Sequence, residues 1–227
     1  MEMLYQGIED RGVILGEIRA LGTDSVYAHV LDASVGTDPL VWLDGVGGLD
    51  GTDGPGRVVL RCSEPVHANL SANDDDRLLA SWSQSGWARF DEELETVVEL
   101  TAQRGIELML RPGALGMLSD AICTCSWARR SESLGCTLLL DPVGWLVPSM
   151  LADAGDHLRR IADLCGSCSK VGAVMVRSVR LDGDDGLVET NIDEGAIDPE
   201  LIVSTLGDLV RDAPAVIGLD KVDLERF

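Results

Sequence analysis

Three short stretches carry apolar residues straight into an arginine: VVLRCS at 58–63, ELMLRPG at 107–113 and VMVRSV at 174–179. Each reads as a strand bound for a core, yet each delivers a charge at its end: Arg61, Arg111 and Arg177. A guanidinium stays charged at all accessible pH values. Its rigid fork of donors matches carboxylates and phosphates. The chemistry these residues offer is therefore neutralisation of buried acids or capture of an anion.

Other reactive side chains offer less. Cys123-Thr-Cys125 and Cys165-Gly-Ser-Cys168 could together supply four thiolates to a zinc ion. Their separation exceeds common ribbon spacings, so the expectation is buried small residues, since free cysteine packs as a small hydrophobe. His29 falls in an expected strand and His157 in an expected amphipathic helix, which suits a satisfied strand residue and a solvated one. No Ser/His/Asp or Cys/His arrangement stands out. The glycine patterns that cradle nucleotide phosphates, G-x-G-x-x-G and G-x-x-x-x-G-K, are missing.

Bulk properties narrow the classes. The 227 residues have a formal net charge of −21 and are 45% hydrophobic. Such a surface repels phosphate backbones, which argues against nucleic acid as a partner. No apolar run reaches the ~20 residues that span a bilayer, so no membrane partner is expected. The first residues, MEMLYQGIEDRG, lack a basic start and an apolar stretch. The expectation is a soluble, cytoplasmic protein.

The elements that must position the arginines can be read from periodicity and stop signals. Ile14, Leu15, Ile18 and Leu21 have helical spacing, which predicts a helix over 12–22, followed by a strand at 26–32. Residues 33–56 are rich in Gly and Asp, with PLVWL at 39–43 as a short helix. RVVLRC at 57–62 is a strand. A helix follows at 90–104, with Asp91 as a plausible cap and Gly105 as its stop. IELMLRP at 106–112 is a strand, 117–133 a helix, and CTLLLDP at 136–142 a strand buried on both faces. A helix at 150–165, a strand at 171–179, a helix at 198–212 opened by Asp198-Pro199, and a strand at 214–220 complete the pass. This alternation of six or seven strands with helices predicts an α/β fold around a parallel sheet.

Three stretches carry a resemblance: LTAQRGIELMLRPG, LGCTLLLDPVGWL at 134–146, and TNIDEGAIDPELIVSTLGDL at 190–209 followed by PAVIGLD. In order and spacing they resemble the xylose isomerase-like TIM-barrel superfamily, which includes sugar-phosphate isomerases and epimerases. The resemblance covers about 90–220 well and 12–32 loosely. It implies one (β/α)8-type TIM-barrel domain over residues 1–227, short or incomplete at its N-terminus, where MEMLYQG must supply the first strand or that strand is absent.

Members of this superfamily bind a divalent metal at the C-terminal ends of the strands, through carboxylates and histidines. Carried over one position at a time, the second-strand glutamate falls at about Tyr27. The third-strand histidine falls at Arg61, and the fourth-strand glutamate at or beside Arg111. The fifth-strand aspartate is kept as Asp141, but its following histidine is replaced within Val143-Gly144-Trp145. The sixth-strand histidine falls at about Arg177. The last-strand acid is kept as Asp220, and the glycine-rich loop keeps Glu194-Gly195. Two aspartates among three arginines suit a cation poorly.

These positions define an expected barrel-mouth pocket of Tyr27, Arg61, His67, Arg111, Asp141, Trp145, Arg177, Glu194 and Asp220. Trp145 is the best placed of the tryptophans to line it. The expected function is a sugar phosphate isomerase/epimerase-like barrel with a lost metal site and no cofactor. It would be non-catalytic, or would bind a sugar phosphate or organic acid through the arginines. The alternatives are an active isomerase or epimerase using Mn, Mg or Zn, and a non-catalytic scaffold.

Overall fold

The computed structural model describes residues 2–8, 13–20, 23–34, 57–62, 82–114, 116–183, 186–219, 223–224 and 226–227, with side chains from residue 59 onward except that of Arg61. His67, Asp220 and the expected helix at 39–43 lie outside the described residues.

The frame of the site is a parallel sheet in which apolar alternation does the sorting. Strands β4 (Arg57–Arg61), β5 (Glu107–Arg111), β6 (Cys136–Leu140), β7 (Val171–Val176) and β10 (Ala215–Gly218) pair in parallel, side by side in that order. Side chains alternate across a strand. Leu60, Leu108, Leu110, Leu138, Leu140, Val174 and Val176 therefore face one way, into a core shared with the helices. Val59, Met109, Leu139, Ala173, Met175, Ala215 and Ile217 face the other and form a separate inner cluster.

Four helices among the described residues cover the outer face: α1 (Gln84–Gln103), α2 (Ala121–Arg130), α3 (Ala154–Cys165) and α4 (Pro199–Asp212). Each buries one stripe, such as Phe90, Leu94 and Val97 of α1 and Ile202, Leu206 and Val210 of α4. Their starts follow capping chemistry. Asp120 and Asp198 accept backbone N–H bonds from Cys123 and Glu200, and Pro199 takes the first turn of α4. The start of α1 lies earlier than its periodicity suggests. Ser83, which accepts from the Gly86 N–H, is the cap. Asp91 instead accepts from the indole N–H of Trp127 at 3.1 Å.

The N-terminal strands complete the ring in an unexpected way. β1 (Glu2–Ile8) supplies the first strand and pairs in parallel with β10. Residues Val13–Ala20 form strand β2, not the helix expected over 12–22. β2 pairs antiparallel with β1 on one side and with β3 (Thr23–Ser34) on the other. β3 then pairs in parallel with β4, giving the ring order β1-β10-β7-β6-β5-β4-β3-β2. The fold is an α/β barrel of the TIM type whose first units are an antiparallel meander. The spacing of Ile14, Leu15 and Ile18 is compatible with either period, and pairing on both edges decided for the strand.

One further element lay hidden in the sequence. Arg177 alone separates β7 from an antiparallel hairpin, β8 (Ser178–Asp182) and β9 (Gly186–Thr190), which forms its own two-stranded sheet.

Candidate functional site

The parity that puts Met109 and Met175 in the inner cluster also turns Arg111 and Arg177 inward, two residues further on. β6 does the same with Leu139 and Asp141. Strands that pack apolar residues inside the barrel therefore deliver charged residues at its mouth, the C-terminal end where TIM-barrel chemistry resides. Arg61 ends β4 in register with Arg111. Tyr27 lies in β3, in register with Glu17 of β2.

Asp141 is the centre of the arrangement. It is 1% exposed, and Arg111 and Arg177 are each 4% exposed. Arg111 donates to Asp141 Oδ2 from Nε at 3.0 Å and from Nη2 at 2.8 Å. Arg177 donates to the same oxygen from Nε at 3.0 Å and Nη2 at 2.8 Å, and from Nε to Oδ1 at 3.1 Å. Oδ1 also accepts the Gly144 N–H at 2.9 Å, so Asp141 caps the 3-10 turn Pro142–Trp145. Burial alone would raise the Asp141 carboxyl. The charges of Arg177 and Arg111 and their hydrogen bonds outweigh it and hold the group down at about 2.

This cage leaves no room around Gly144. A β-carbon there would sit 2.6 Å from Asp141 Oδ2 and 3.1 Å from Arg177 Nη2. Glycine is needed because the turn backbone passes directly against the ion pairs.

A second carboxylate joins from the hairpin. Glu189 of β9 accepts from Arg111 Nη2 at 2.6 Å, and its side chain is 30% exposed. Among the described residues, the charges of Arg111, Arg177, Asp141 and Glu189 balance. The four line one cavity of about 410 Å³ with apolar walls that include Val143, Leu146, Val147, Val179 and Leu187.

Of the residues expected at the mouth, the structure brings Arg111, Asp141 and Arg177 together. It places two elsewhere. Trp145 is buried in the outer core and donates its indole N–H to the Leu118 carbonyl at 2.9 Å. The 3-10 turn started by Asp141 carries it away from the cavity. Glu194 is exposed, with its backbone N–H bonded to Asn191 Oδ1 at 3.0 Å and its carboxylate to Thr190. Ser178 fills the space against Gly195, where a β-carbon would meet its hydroxyl at 1.8 Å, and this packing sets the loop off the cavity. Glu189 was missed. Its signal was the run LDGDDGLV at 181–188, an Asp-Gly turn between β-forming residues, which is a hairpin signature.

The divalent metal of the resembling superfamily does not fit these residues. Both oxygens of Asp141 are engaged by guanidinium groups, which repel a cation. Among the described residues, no three His, Cys, Asp or Glu side chains are grouped to hold a metal ion. The cysteines follow suit. The Cys125 and Cys168 thiols donate to the carbonyls of Leu164 and Ser169, and the Cys125 sulfur together with burial pushes the Cys165 and Cys168 thiols up. Cys123 instead bonds Asp120, and burial with that bond raises it to about 11, so the four thiols do not converge.

No family model matches the chain, and no curated protein matches it in sequence. Among solved structures, the chain is similar to the crystal structure of AsbF from Bacillus anthracis, described as a probable 3-DHS dehydratase involved in petrobactin synthesis. The two share 12% identity over 84% of this chain and 69% of that one, with a TM-score of 0.51. At this identity the likeness shows the fold alone: the chain is a TIM-barrel α/β protein.

Proposed function

We propose that residues 1–227 form one barrel domain of the sugar phosphate isomerase/epimerase-like kind that has exchanged its metal site for an arginine cluster and binds a small organic anion at the mouth. The observation that carries this reading is the pair of buried guanidinium groups on Asp141, where the superfamily keeps metal ligands. The reading is supported by Arg111, which already holds the partly exposed carboxylate of Glu189 at the edge of the cavity, the kind of forked contact a guanidinium makes with a carboxylate or phosphate. It speaks against metal-dependent isomerisation, because the acid that would ligate the ion is saturated with cations. The net charge of −21 makes nucleic acid a poor partner. Among the described residues, no helix is long and apolar enough to cross a membrane, and a cytoplasmic setting is part of the proposal.

Two measurements on purified protein test it together. Elemental analysis after dialysis against trace Mn, Mg and Zn is expected to give far less than one metal per chain. Thermal-shift titration with phosphate, sugar phosphates and carboxylates is expected to show stabilisation at millimolar ligand. Stoichiometric metal with isomerase activity, or no stabilisation by any anion, overturns the reading.

A further inference from the structure

Three of the six cysteines meet where α2 packs against the end of α3. Cys125, on α2, is 7% exposed, and its thiol donates to the carbonyl of Leu164 at 3.7 Å. Leu164 is the next-to-last residue of α3, so this contact sets the Cys125 sulfur beside Cys165. The chain then turns, and the Cys168 N–H bonds the Cys165 carbonyl at 2.9 Å. That turn brings Cys168 back to the same spot, where the Cys125 sulfur and burial raise its thiol along with that of Cys165. The turn leads into the start of β7, so the group sits at the foot of the barrel, opposite the mouth where Arg177 follows the far end of that strand. Residues 116–183, which hold all three cysteines, are described without a break.

The three sulfurs differ in access. Cys165 is 1% exposed and belongs to the outer core. Cys168 is half-buried, lies beyond the helix end, and lines an open cavity of about 550 Å³ together with Gly166, Lys170 and Asp212. A small solute in that cavity reaches Cys168 without unfolding either helix. Arg129, one turn beyond Cys125 on α2, is the cation that favours a thiolate at both Cys125 and Cys168. No metal-holding group forms among the described residues, which leaves sulfur–sulfur chemistry as what the cluster can do.

We propose that Cys125 and Cys168 are a reversible dithiol–disulfide pair, a modification site at the foot of the barrel that takes a peroxide as its oxidant. The proposal is independent of the anion-binding reading above. The Cys168 thiolate attacks one peroxide oxygen, the O–O bond breaks, and the other oxygen leaves as water once protonated, so Cys168 becomes a sulfenic acid. The Cys125 thiolate then attacks the Cys168 sulfur, the S–O bond breaks, and a second water leaves. Two thiols lose two protons and two electrons, and one hydrogen peroxide becomes two waters. A dithiol reductant returns the same two electrons and two protons. The bridge ties α2 to the turn before β7, and closing that stretch of chain restricts the unfolded state and stabilises the fold. Cys165 is a buried bystander.

The test treats reduced, folded full-length protein with hydrogen peroxide and then titrates thiols after unfolding. The titre of six per chain is expected to fall by two, to return with dithiothreitol, and to be matched by a higher Tm for the oxidised form. Tandem mass spectrometry of the digest is expected to place the bridge between Cys125 and Cys168. Circular dichroism checks that each variant is folded. Cys125→Ser removes the second thiol, so dimedone is expected to trap a sulfenic acid at Cys168 that wild type does not accumulate. Cys168→Ser is expected to slow thiol loss roughly tenfold or more, and Cys165→Ala to leave the bridge in place. The wild-type map needs no variant to fold. Six thiols surviving peroxide in the folded protein, a bridge between any other pair, oxidation confined to Cys123, or dimers joined through Cys123 each overturn the proposal and leave the anion-binding reading untouched.

Discussion

Asp141→Asn is the sharpest perturbation of the mouth. The side chain keeps its shape and loses its charge. Asp141 Oδ2 accepts from Arg111 Nε and Nη2 and from Arg177 Nε and Nη2. An amide must keep its oxygen toward the Gly144 N–H, so its NH2 group would face these four donors. Arg111 retains Glu189, while Arg177 retains the Ser178 carbonyl at 3.4 Å. One guanidinium is then buried without a counter-ion, which costs about 3–5 kcal/mol when a buried pair is broken on one side. That is a large part of the ~5–15 kcal/mol stability of an ordinary domain. With a urea dependence near 2 kcal/mol per molar, the midpoint should fall by about 2 M. Equilibrium urea unfolding followed by circular dichroism measures it. The triple change Arg111→Met, Asp141→Leu, Arg177→Met removes all three charges together and should lie within about 2 kcal/mol of wild type. An Asp141→Asn protein less than about 1 kcal/mol below wild type would refute the claim that these ion pairs are sealed from water.

The same ion pairs predict a pH dependence. The Asp141 carboxyl is lowered from 3.8 to about 2 in the folded protein. Its contribution is therefore complete above pH ~4 and disappears as the pH falls through 3.8 toward 2, a loss of roughly 2 kcal/mol. Urea midpoints of wild type at pH 5 and 2.5 should differ by more than those of Asp141→Asn, and parallel slopes would contradict the assignment. Gly144→Ala forces a β-carbon to within 2.6 Å of Asp141 Oδ2, against a carboxylate that two arginines hold still. It should destabilise by about 1–3 kcal/mol and move the Asp141 titration upward, which carbonyl carbon NMR would detect. A wild-type midpoint and titration would show that the turn can move.

How far the sequence reached is clearest strand by strand. β4 to β7 and β10 were legible because continuous apolar runs bounded by Gly, Pro and Asp leave no other choice. Parity within each run then fixed which way its last residue points. Once Met109 and Met175 face inward, Arg111 and Arg177 must as well. Asp141 followed from CTLLLDP by the same logic. The helices α2 and α4 were legible from their stop or capping residues.

Where the outcome depended on distant partners, local pattern failed. Val13–Ala20 fits a helix or a strand, and its pairing with both β1 and β3 decided the matter, because a two-sided ladder outweighs a weak intrinsic preference. Trp145 and Asp141 are neighbours in sequence, but a 3-10 turn sends one to the core and leaves the other in the cavity. Glu189 lies 78 positions from Arg111, and no local rule links them. By itself the sequence determined an α/β fold whose strands end in arginines around an aspartate. Only the tertiary structure decided that Arg111 and Arg177 share one carboxylate and that a glutamate from a hairpin joins Arg111. The physical reason is that strand parity is a local property, whereas charge balance and cavity chemistry are set by whatever the chain brings back to the same place.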